Sequence, residues 1–331
     1  VDMKICVFGG AGYVGSHFCH MARKSGHDVV IFDNFSTGHR FATEGFAVVD
    51  GDICDPLAVD SVLFQGFDAV CHFAGKISVA ESVEKPFAYH KVNVDGTANI
   101  LRLASKFNVN NVLFSSTAAV YGAVVADCGA LVESSLLRPM SPYGQTKLHA
   151  EQLIQEWVEQ NSSNGATVFR YFNASGAGTE FGLGEAHYPE THLIPNAIYT
   201  GLGRSLNPFK IYGTDYDTKD GTCLRDYVHV LDIAKAHLLA LEELNTDLRL
   251  FNLGSNSGYT VAEVVGECER QLGVVIPKEF TERREGDLPA LVASSQLARD
   301  ELGWNPKHSN LSEIIESAIV WHRDIQPAIF S

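Results

Sequence analysis

The sequence predicts an α/β fold built on a doubly wound parallel sheet, followed by a smaller mixed α/β domain. Short apolar runs, such as Lys4–Phe8, Asp28–Phe32 and Asn111–Ser115, alternate with amphipathic segments. This alternation is typical of parallel strands joined by helices. A glycine-rich turn directly follows the first apolar run. The chain has 331 residues, of which 45% are hydrophobic and 20% charged, so it is long enough to bury a full core.

Charge and cysteine usage exclude several classes of protein. The net charge of −15 argues against a general nucleic-acid or membrane surface, so we expect neither partner. Seven cysteines are scattered without any Cys-x-x-Cys pair, which is typical of thiols in a reducing compartment. With no apolar run of membrane length, we expect a cytoplasmic location. No metal site is predicted, because His17 and His20 are three residues apart without a carboxylate or a third ligand.

The first turn has the spacing of a dinucleotide-binding loop. Gly9 allows the tight turn, Gly12 lets a pyrophosphate approach the backbone, and Gly15 lets the following helix pack on the strand. Asp33 ends the second strand, where a carboxylate binds both hydroxyls of an adenosine ribose and repels a 2′-phosphate. The sequence therefore predicts a Rossmann-like domain that binds NAD rather than NADP. A glycine turn without a ligand is the alternative.

A second signal opens the amphipathic run Leu148–Val158. Tyr143 and Lys147 are four residues apart, so on a helix they lie on one face. A nearby ammonium group favours the phenolate form of tyrosine. The pair therefore predicts an acid–base group that needs no metal. The spacing alone is weak evidence, because a packed tyrosine beside a solvated lysine has the same pattern.

Several segments together resemble a known family. Gly9–Gly15, Ser115–Gly122 and the pair Tyr143 and Lys147 resemble the extended short-chain dehydrogenase/reductase superfamily. Within it, residues 171–173, 225–230 and 283–290 are similar to UDP-glucose 4-epimerases. The resemblance runs nearly end to end. It implies reversible epimerisation at C4 of UDP-hexoses, from UDP-galactose to UDP-glucose, with transient hydride transfer to tightly bound NAD. It also implies a homodimer.

The residues after Thr117 separate this reaction from those of sister enzymes. Sugar-nucleotide 4,6-dehydratases and UDP-glucuronate decarboxylases carry a carboxylate there, whereas this chain has Ala118 and Ala119. Because alanines cannot transfer protons, the pattern favours epimerisation without elimination. UDP-xylose/UDP-arabinose and UDP-N-acetylhexosamine 4-epimerases stay open as alternatives. A non-catalytic NAD-binding regulatory protein is the alternative from another class.

The resemblance assigns roles to individual residues. Tyr143 would be the catalytic acid–base, Thr117 would relay the proton, and Lys147 would bind the nicotinamide ribose and lower the pKa of the tyrosine. Positions along the carboxyl edge of the sheet would bind the cofactor. These are Gly9, Gly12, Tyr13, Val14, Gly15, Asp33, Asn34, Asp52, Ile53, Phe73, Ala74, Lys76, Asn93, Ser115, Tyr143, Lys147 and Tyr171.

The substrate carries two phosphates, which an acidic protein must bind with local cations. Arg225 and Arg284 are the candidates, since a guanidinium can grip phosphate through two hydrogen bonds. An ion pair between Arg225 and the adjacent Asp226 is the structural alternative. The remaining substrate-binding positions follow from the resemblance. They are Thr117, Tyr143, Asn173, His192, Leu193, Phe209, Ile211, Tyr212, Asp287 and Leu291.

Two of these positions bear on specificity. His192 stands where the family often has Asn, before Leu193. Leu291 stands where the family has either a large Tyr or a smaller residue near the 2-substituent of the sugar. We therefore expect at least partial tolerance of N-acetylated UDP-hexosamines, unless Leu291 is a core residue that faces away.

The regular alternation of strands and helices ends near Asn173. We expect an NAD-binding domain over residues 1–173 and a UDP-sugar-binding domain over residues 174–331. Segments near 223–253 are expected to return to the main sheet, as strands over 223–230 and 249–253.

Overall fold

The computed structural model describes residues 2–122, 130–284 and 287–330. In chain order the strands are β1 (Lys4–Phe8), β2 (Asp28–Asp33), β3 (Ala47–Asp50), β4 (Ala69–His72), β5 (Asn111–Thr117), β6 (Gly165–Tyr171), β7 (Asn173–Ser175), β8 (Phe209–Tyr212), β9 (Leu224–His229), β10 (Leu248–Leu253), β11 (Gly258–Thr260), β12 (Lys278–Thr281) and β13 (Ala290–Leu291).

The helices are α1 (Tyr13–Lys24), α2 (Pro56–Leu63), α3 (Val79–Glu84), α4 (Pro86–His90), α5 (Gly96–Lys106), α6 (Pro142–Gln160), α7 (Leu193–Gly201), α8 (Val230–Glu242), α9 (Val261–Leu272), α10 (Gln296–Leu302), α11 (Leu311–Val320) and α12 (Gln326–Phe330). Short 3₁₀ segments lie at Arg40–Thr43, Ala118–Val120 and Thr179–Phe181, and π turns at Lys91–Asp95 and Trp321–Ile325.

The large sheet has seven parallel strands in the order β10-β6-β5-β4-β1-β2-β3. Helices cover both of its faces. On one face Phe18 of α1 and Ile233 of α8 share a buried cluster. On the other, Val59 of α2, Ile100 of α5 and Ile154 of α6 share a second cluster. The doubly wound parallel sheet predicted from the sequence is confirmed.

The strand order reverses direction beside β1, because β1 lies between β2 and β4. Open α/β sheets bind ligands outside the carboxyl ends of their strands, at such a switch point. The glycine turn after β1 therefore lies where the architecture favours a ligand.

A second sheet joins β7, β9, β11 and β13 around the central strand β9, and β8 pairs with β12. Residues 249–253 lie in β10, which is the edge strand of the large sheet beside β6. The expectation that residues 223–230 also return to the large sheet is wrong. Pairing with β7 holds β9 outside that sheet, whereas β10 joins its edge and α8 and α10 pack against it.

No helix within the described residues is long and apolar enough to span a lipid bilayer. Six cysteines are free thiols, and all except Cys54 are buried. The seventh, Cys128, lies outside the described residues, as do Glu285 and Gly286 of the 283–290 segment.

Candidate active site

The glycine turn leaves space where a pyrophosphate would lie. Gly9 has a φ of +81°, and a Cβ atom there would lie 2.4 Å from the backbone nitrogen of Ala74. A Cβ on Gly15 would lie 2.2 Å from the carbonyl oxygen of Gly9. At Gly12, by contrast, a Cβ would meet only the Gly9 oxygen, at 3.4 Å. The packing of the turn therefore requires Gly9 and Gly15, while the space beside Gly12 fits a ligand at the N-terminus of α1.

Asp33 is fixed at the carboxyl end of β2. Its Oδ2 accepts a 2.9 Å hydrogen bond from the backbone nitrogen of Ala11, and its Oδ1 accepts one of 2.9 Å from that of Phe35. Burial raises the pKa of Asp33, although these two amides lower it in part. Each oxygen keeps a second lone pair for a ribose hydroxyl. The donor set and the open turn therefore fit NAD.

A neighbouring group joins the cofactor edge to α6. Asn93 accepts a 2.8 Å hydrogen bond from the backbone nitrogen of Lys76 and donates to the Lys76 carbonyl. Its Nδ2 also lies 3.1 Å from the hydroxyl of Thr146, between Tyr143 and Lys147. Asn93 is buried, so it supports the site rather than facing a ligand. Lys76 Nζ lies 3.3 Å from both carboxylate oxygens of Glu81.

The other predicted cofactor residues lie along the same edge. Asn34 donates to Asp52 at 3.3 Å on the exposed rim, and Ile53 is buried beneath it. Phe73 packs against Phe18, with ring centroids 5.3 Å apart, and Val14 packs partly against the same core. Tyr171 is buried, and its hydroxyl lies 2.8 Å from Nε2 of His237.

Helix α6 holds Tyr143 and Lys147. The Ser141 hydroxyl caps the helix by accepting a 3.1 Å hydrogen bond from the backbone nitrogen of Gly144, and Pro142 occupies the first helical position. One turn beyond Lys147, the buried carboxylate of Glu151 pairs with Arg170 of β6 at 2.7 Å. The first turn of this stretch is therefore capped locally, and its far end is fixed against the sheet.

The electrostatics around the phenol differ from the expectation. Burial raises the pKa of Tyr143, and a hydrogen bond with Thr117 lowers it only in part. Lys147 Nζ donates instead to the carbonyl oxygen of Ser115 at 2.7 Å and lies 4.7 Å from the centre of the Phe114 ring. Burial lowers the pKa of Lys147 itself to about 8, although Glu151 opposes this. The predicted lowering of the tyrosine pKa by Lys147 is thus wrong for this structure, because burial dominates.

The substrate side contains an ion pair that the sequence did not indicate. Arg225 Nη2 lies 3.3 Å from Oδ1 of Asp287, and Nη1 donates to the carbonyl oxygens of Leu224 and Leu288. Asp226 is fully buried and accepts hydrogen bonds from Ser255 instead. The alternative of an Arg225–Asp226 pair is therefore wrong, since successive strand residues point to opposite faces.

The remaining substrate positions divide into exposed and buried groups. The Arg284 guanidinium lies 3.8 Å from the centre of the Tyr212 ring. Phe209 and Ile211 are buried in the core of the second domain, so only their backbone can face a ligand. Asn173 donates to the carbonyl oxygen of Asp226 at 2.6 Å.

Leu291 lies between the two halves of the site. It pairs with Arg225 in the β13–β9 register. It also packs partly against a buried cluster that includes Ala118 and Phe172, next to Thr117.

Comparison with known proteins places this site in a family. Residues 5–254 match the NAD dependent epimerase/dehydratase family. A UDP-glucose 4-epimerase from Rhizobium leguminosarum bv. trifolii is 45% identical over 321 residues, which cover 96% of this chain and 97% of that protein. The chain belongs to the NAD dependent epimerase/dehydratase family.

Solved structures from this family have the same fold. The crystal structure of UDP-glucose 4-epimerase from Brucella ovis in complex with NAD has a TM-score of 0.91 and 40% identity, covering 96% of this chain and 98% of that one. The UDP-Glc/GlcNAc 4-epimerase from Campylobacter jejuni has a TM-score of 0.84 and 36% identity, covering 97% and 99%.

This family member also has a charged cluster that no sequence prediction covered. His192 Nδ1 lies 2.6 Å from Glu185 and 2.9 Å from Glu190, and Nδ1 of His187 lies 3.0 Å from Glu185. Although burial lowers it, the two carboxylates raise the pKa of His192 to about 10. The predicted substrate residue His192 therefore directs its imidazole to carboxylates, and Leu193 follows as the first residue of α7. The Glu-x-His-x-x-Glu-x-His spacing was the available signal.

Proposed function

We propose that the protein interconverts UDP-galactose and UDP-glucose by reversible oxidation at C4 of the hexose. One observation carries the proposal. Tyr143 at the start of α6 and Thr117 at the end of β5, whose hydroxyl lowers the pKa of the Tyr143 phenol, lie at the sheet edge that carries the glycine turn and Asp33, and alanines follow Thr117. Acid–base groups beside a hydride acceptor support oxidation and reduction. The alanines supply no proton for elimination, which would divert the product.

The protein's part in the chemistry is proton transfer and positioning. Tyr143 takes the proton of the C4 hydroxyl, directly or through Thr117. It returns the proton after the 4-keto sugar has rotated to present its opposite face. NAD, when bound, would supply the hydride chemistry at C4, first as acceptor and then as donor. Lys147, held by its hydrogen bond to the Ser115 carbonyl, would bind the nicotinamide ribose when the cofactor is present.

The cofactor would be held by the groups whose geometry fits it. The N-terminus of α1 and the space beside Gly12 suit the pyrophosphate, and Asp33 suits the adenosine ribose. Asn34 and Asp52 suit the rim around the adenine. The Asp33 carboxylate repels a 2′-phosphate and so supports NAD rather than NADP.

The UDP would be held by groups from the second domain. Arg225 and Arg284 supply charge for the diphosphate, and Asp287 supplies acceptors for ribose hydroxyls. The β8 backbone would receive the uracil, because the Phe209 and Ile211 side chains are buried. Tight binding of UDP with few contacts to the hexose leaves the 4-keto sugar free to rotate about its bond to the diphosphate, as inversion requires.

One observation favours N-acetylated substrates as a second activity. Leu291 places an intermediate-sized apolar side chain opposite Arg225 in the strand register and against the cluster that includes Ala118, and the resemblance places the 2-substituent near it. The Campylobacter jejuni relative is a UDP-Glc/GlcNAc 4-epimerase by name. We therefore include UDP-N-acetylhexosamines among the proposed substrates, and assays with UDP-xylose and UDP-arabinose separate the pentose alternative.

We also propose that the protein is a homodimer through α3, α4 and α6. Val79, Val83 and Phe87 expose apolar side chains there, and Phe87 is 89% exposed. Burying such side chains against a second copy would remove them from water. Sedimentation analysis of the wild type should give twice the chain mass, and Phe87→Glu should shift it toward the single chain.

One experiment tests the activity. The purified protein is incubated with UDP-galactose and no added cofactor, and the nucleotide sugars are separated. We expect UDP-glucose, together with NAD released when the protein is denatured. Conversion that requires added NAD would contradict tight retention of the cofactor, and no conversion with or without NAD would contradict the function.

A further inference from the structure

Four potential metal ligands converge on the segment that leads into α7. Glu185, His187, Glu190 and His192 each offer one donor atom, and these atoms all lie within 4.8 Å of one another. They belong to eight consecutive residues, and none of them is Tyr143, Lys147 or Thr117. The cluster therefore needs an explanation apart from the acid–base chemistry.

Three of the donor-atom pairs are somewhat closer together than they would be around an ion, and all four atoms lie within 4.8 Å of one another. With zinc bonds of about 2.0–2.2 Å, donor atoms around a tetrahedral ion are about 3.4 Å apart. Here the imidazole nitrogens of His187 and His192 lie 3.0 Å and 2.6 Å from the same Glu185 oxygen, and His192 lies 2.9 Å from Glu190. Small shifts of side chains would admit an ion between them.

An independent observation concerns the second oxygen of Glu190. The Glu190 side chain is only 7% exposed, and its buried Oε2 has no hydrogen-bond partner within the described part of the chain. Its Oε1 accepts from the backbone nitrogens of Thr191 and His192, both at 2.8 Å, which fixes the carboxylate. A buried carboxylate oxygen is normally paired or bound to a metal, because burying it unpaired is costly.

The surrounding structure holds the cluster in place. The indole nitrogen of Trp321 donates a 2.7 Å hydrogen bond to the Glu185 carbonyl, and His39 Nε2 lies 2.6 Å from the carbonyl of Ala186. The segment is thus bound both to the loop after β2 and to the C-terminal helices. Binding of an ion would not require the backbone to become ordered first.

We propose that Glu185, His187, Glu190 and His192 bind one divalent transition-metal ion, for which Zn²⁺ is the best match. Two imidazole nitrogens and two carboxylate oxygens favour such an ion over Mg²⁺ or Ca²⁺, which take oxygen ligands. The two carboxylates balance its charge. Four protein ligands leave no open position, as is typical of structural zinc sites.

The ion would stabilise both the glycine turn on the cofactor side and the start of α7 on the substrate side, without contacting the reacting groups. The Tyr13 ring lies edge-on to the His187 ring at 6.3 Å, and the Tyr13 hydroxyl donates to the Gly176 carbonyl at 2.6 Å. Tyr13 follows Gly12 in the glycine turn, and His192 precedes Leu193 at the start of α7. Metal binding would therefore stabilise the cofactor turn and the start of α7 together.

Zinc itself is the probe for the test. The full-length protein is treated with a chelator, dialysed, and titrated with ZnCl₂ by calorimetry and by thermal unfolding. We expect one Zn²⁺ per chain and a rise in Tm of about 3–5 °C at a hundredfold excess over Kd. Substitution with Co²⁺ should give the visible absorption of tetrahedral coordination.

Variants separate this site from weak binding elsewhere. His187→Gln and His192→Asn should each lower zinc affinity by more than about tenfold. His308→Asn removes a histidine outside the cluster that pairs with Glu313 and packs against the His229 ring, and it should bind zinc like the wild type. The His192 side chain is 46% exposed, so His192→Asn keeps the fold even where His187→Gln does not. Binding far below one ion per chain, or equal affinity in His192→Asn and His308→Asn, would overturn the proposal.

Discussion

The ammonium group of Lys147 donates a 2.7 Å hydrogen bond to the carbonyl oxygen of Ser115, three strands into the large sheet from its β10 edge. This contact fixes the lysine between α6 and β5 at the carboxyl edge. A Cβ atom on Gly75 would lie 3.6 Å from the same nitrogen, so the lysine also adjoins the cofactor side of the site. The backbone carbonyl of Ser115, rather than the phenol of Tyr143, therefore positions the charge of Lys147.

We expect burial of Lys147 to make stability depend on pH. Its pKa is lowered to about 8 in the folded chain, against about 10.4 in an unfolded one. Between these values the unfolded chain binds the extra proton, so the stability contributed by this group rises with pH. The Tm of cofactor-free wild type relative to Lys147→Met should increase from pH 8 to about pH 10. A difference that stays constant across this range would contradict burial of the ammonium.

Tyr143→Phe tests the acid–base assignment. Removing the hydroxyl should lower kcat by a factor of ~10² or more and leave NAD binding intact. Tyr89→Phe is the matched control, since its ring centroid lies 6.5 Å from that of Tyr143 and its hydroxyl donates to Glu81. Steady-state rates and the NAD content of both variants give the comparison. Equal rates in the two variants would remove Tyr143 from the mechanism.

Local spacing was enough to predict the cofactor side. Gly9 and Gly12 lie in the turn, Gly15 lies in the first turn of α1, and Asp33 ends the next strand, so neighbouring residues determine their geometry. The Arg225–Asp287 pair could not be predicted in this way, because its partners are 62 residues apart and meet only through the β13–β9 pairing.

The direction of the Tyr143 pKa shift, like the Arg225–Asp287 pair, depends on contacts between residues far apart in the sequence. A four-residue spacing predicts that tyrosine and lysine lie on one helix face, which α6 provides. It does not predict how deeply the sheet buries them, or that the Ser115 carbonyl takes the ammonium. Burial depends on packing of the whole domain, so the direction of the pKa shift follows only from the three-dimensional structure.

Asp33→Asn tests the choice of cofactor. Loss of the charge should weaken NAD binding by about tenfold or more and raise the affinity for NADP relative to NAD, because the repulsion of a 2′-phosphate is removed. Asp50→Asn is the control, as Asp50 is its register partner on β3 but is exposed and pairs with Arg40. Calorimetry with both dinucleotides measures the ratio. An unchanged ratio would place the ribose elsewhere.

Arg284→Met tests the diphosphate assignment. Losing a guanidinium from a phosphate contact should raise KM for UDP-galactose by about tenfold or more with a smaller effect on kcat. The neighbouring Arg283 is the control, since its Nε donates to Asp215 at 2.7 Å, and Arg283→Met should leave KM within about threefold. Equal increases in KM for the two variants would show that the effect comes from removing any positive charge near the site, and not from a specific contact of Arg284 with the diphosphate.

Leu291→Tyr tests the specificity of the sugar site. Leu291 is only partly buried, and it adjoins both Arg225 and the cluster around Ala118, so a larger ring there would occupy space next to Thr117. We expect kcat/KM for UDP-N-acetylgalactosamine to fall by at least about tenfold, while that for UDP-galactose changes much less, because only the first sugar carries a bulky 2-substituent. Leu291→Met conserves the volume and should retain both activities. Wild-type protein that turns over UDP-galactose but not UDP-N-acetylgalactosamine would contradict the proposed tolerance of a 2-N-acetyl group. Equal losses of kcat/KM for both sugars in Leu291→Tyr would indicate a general packing defect instead.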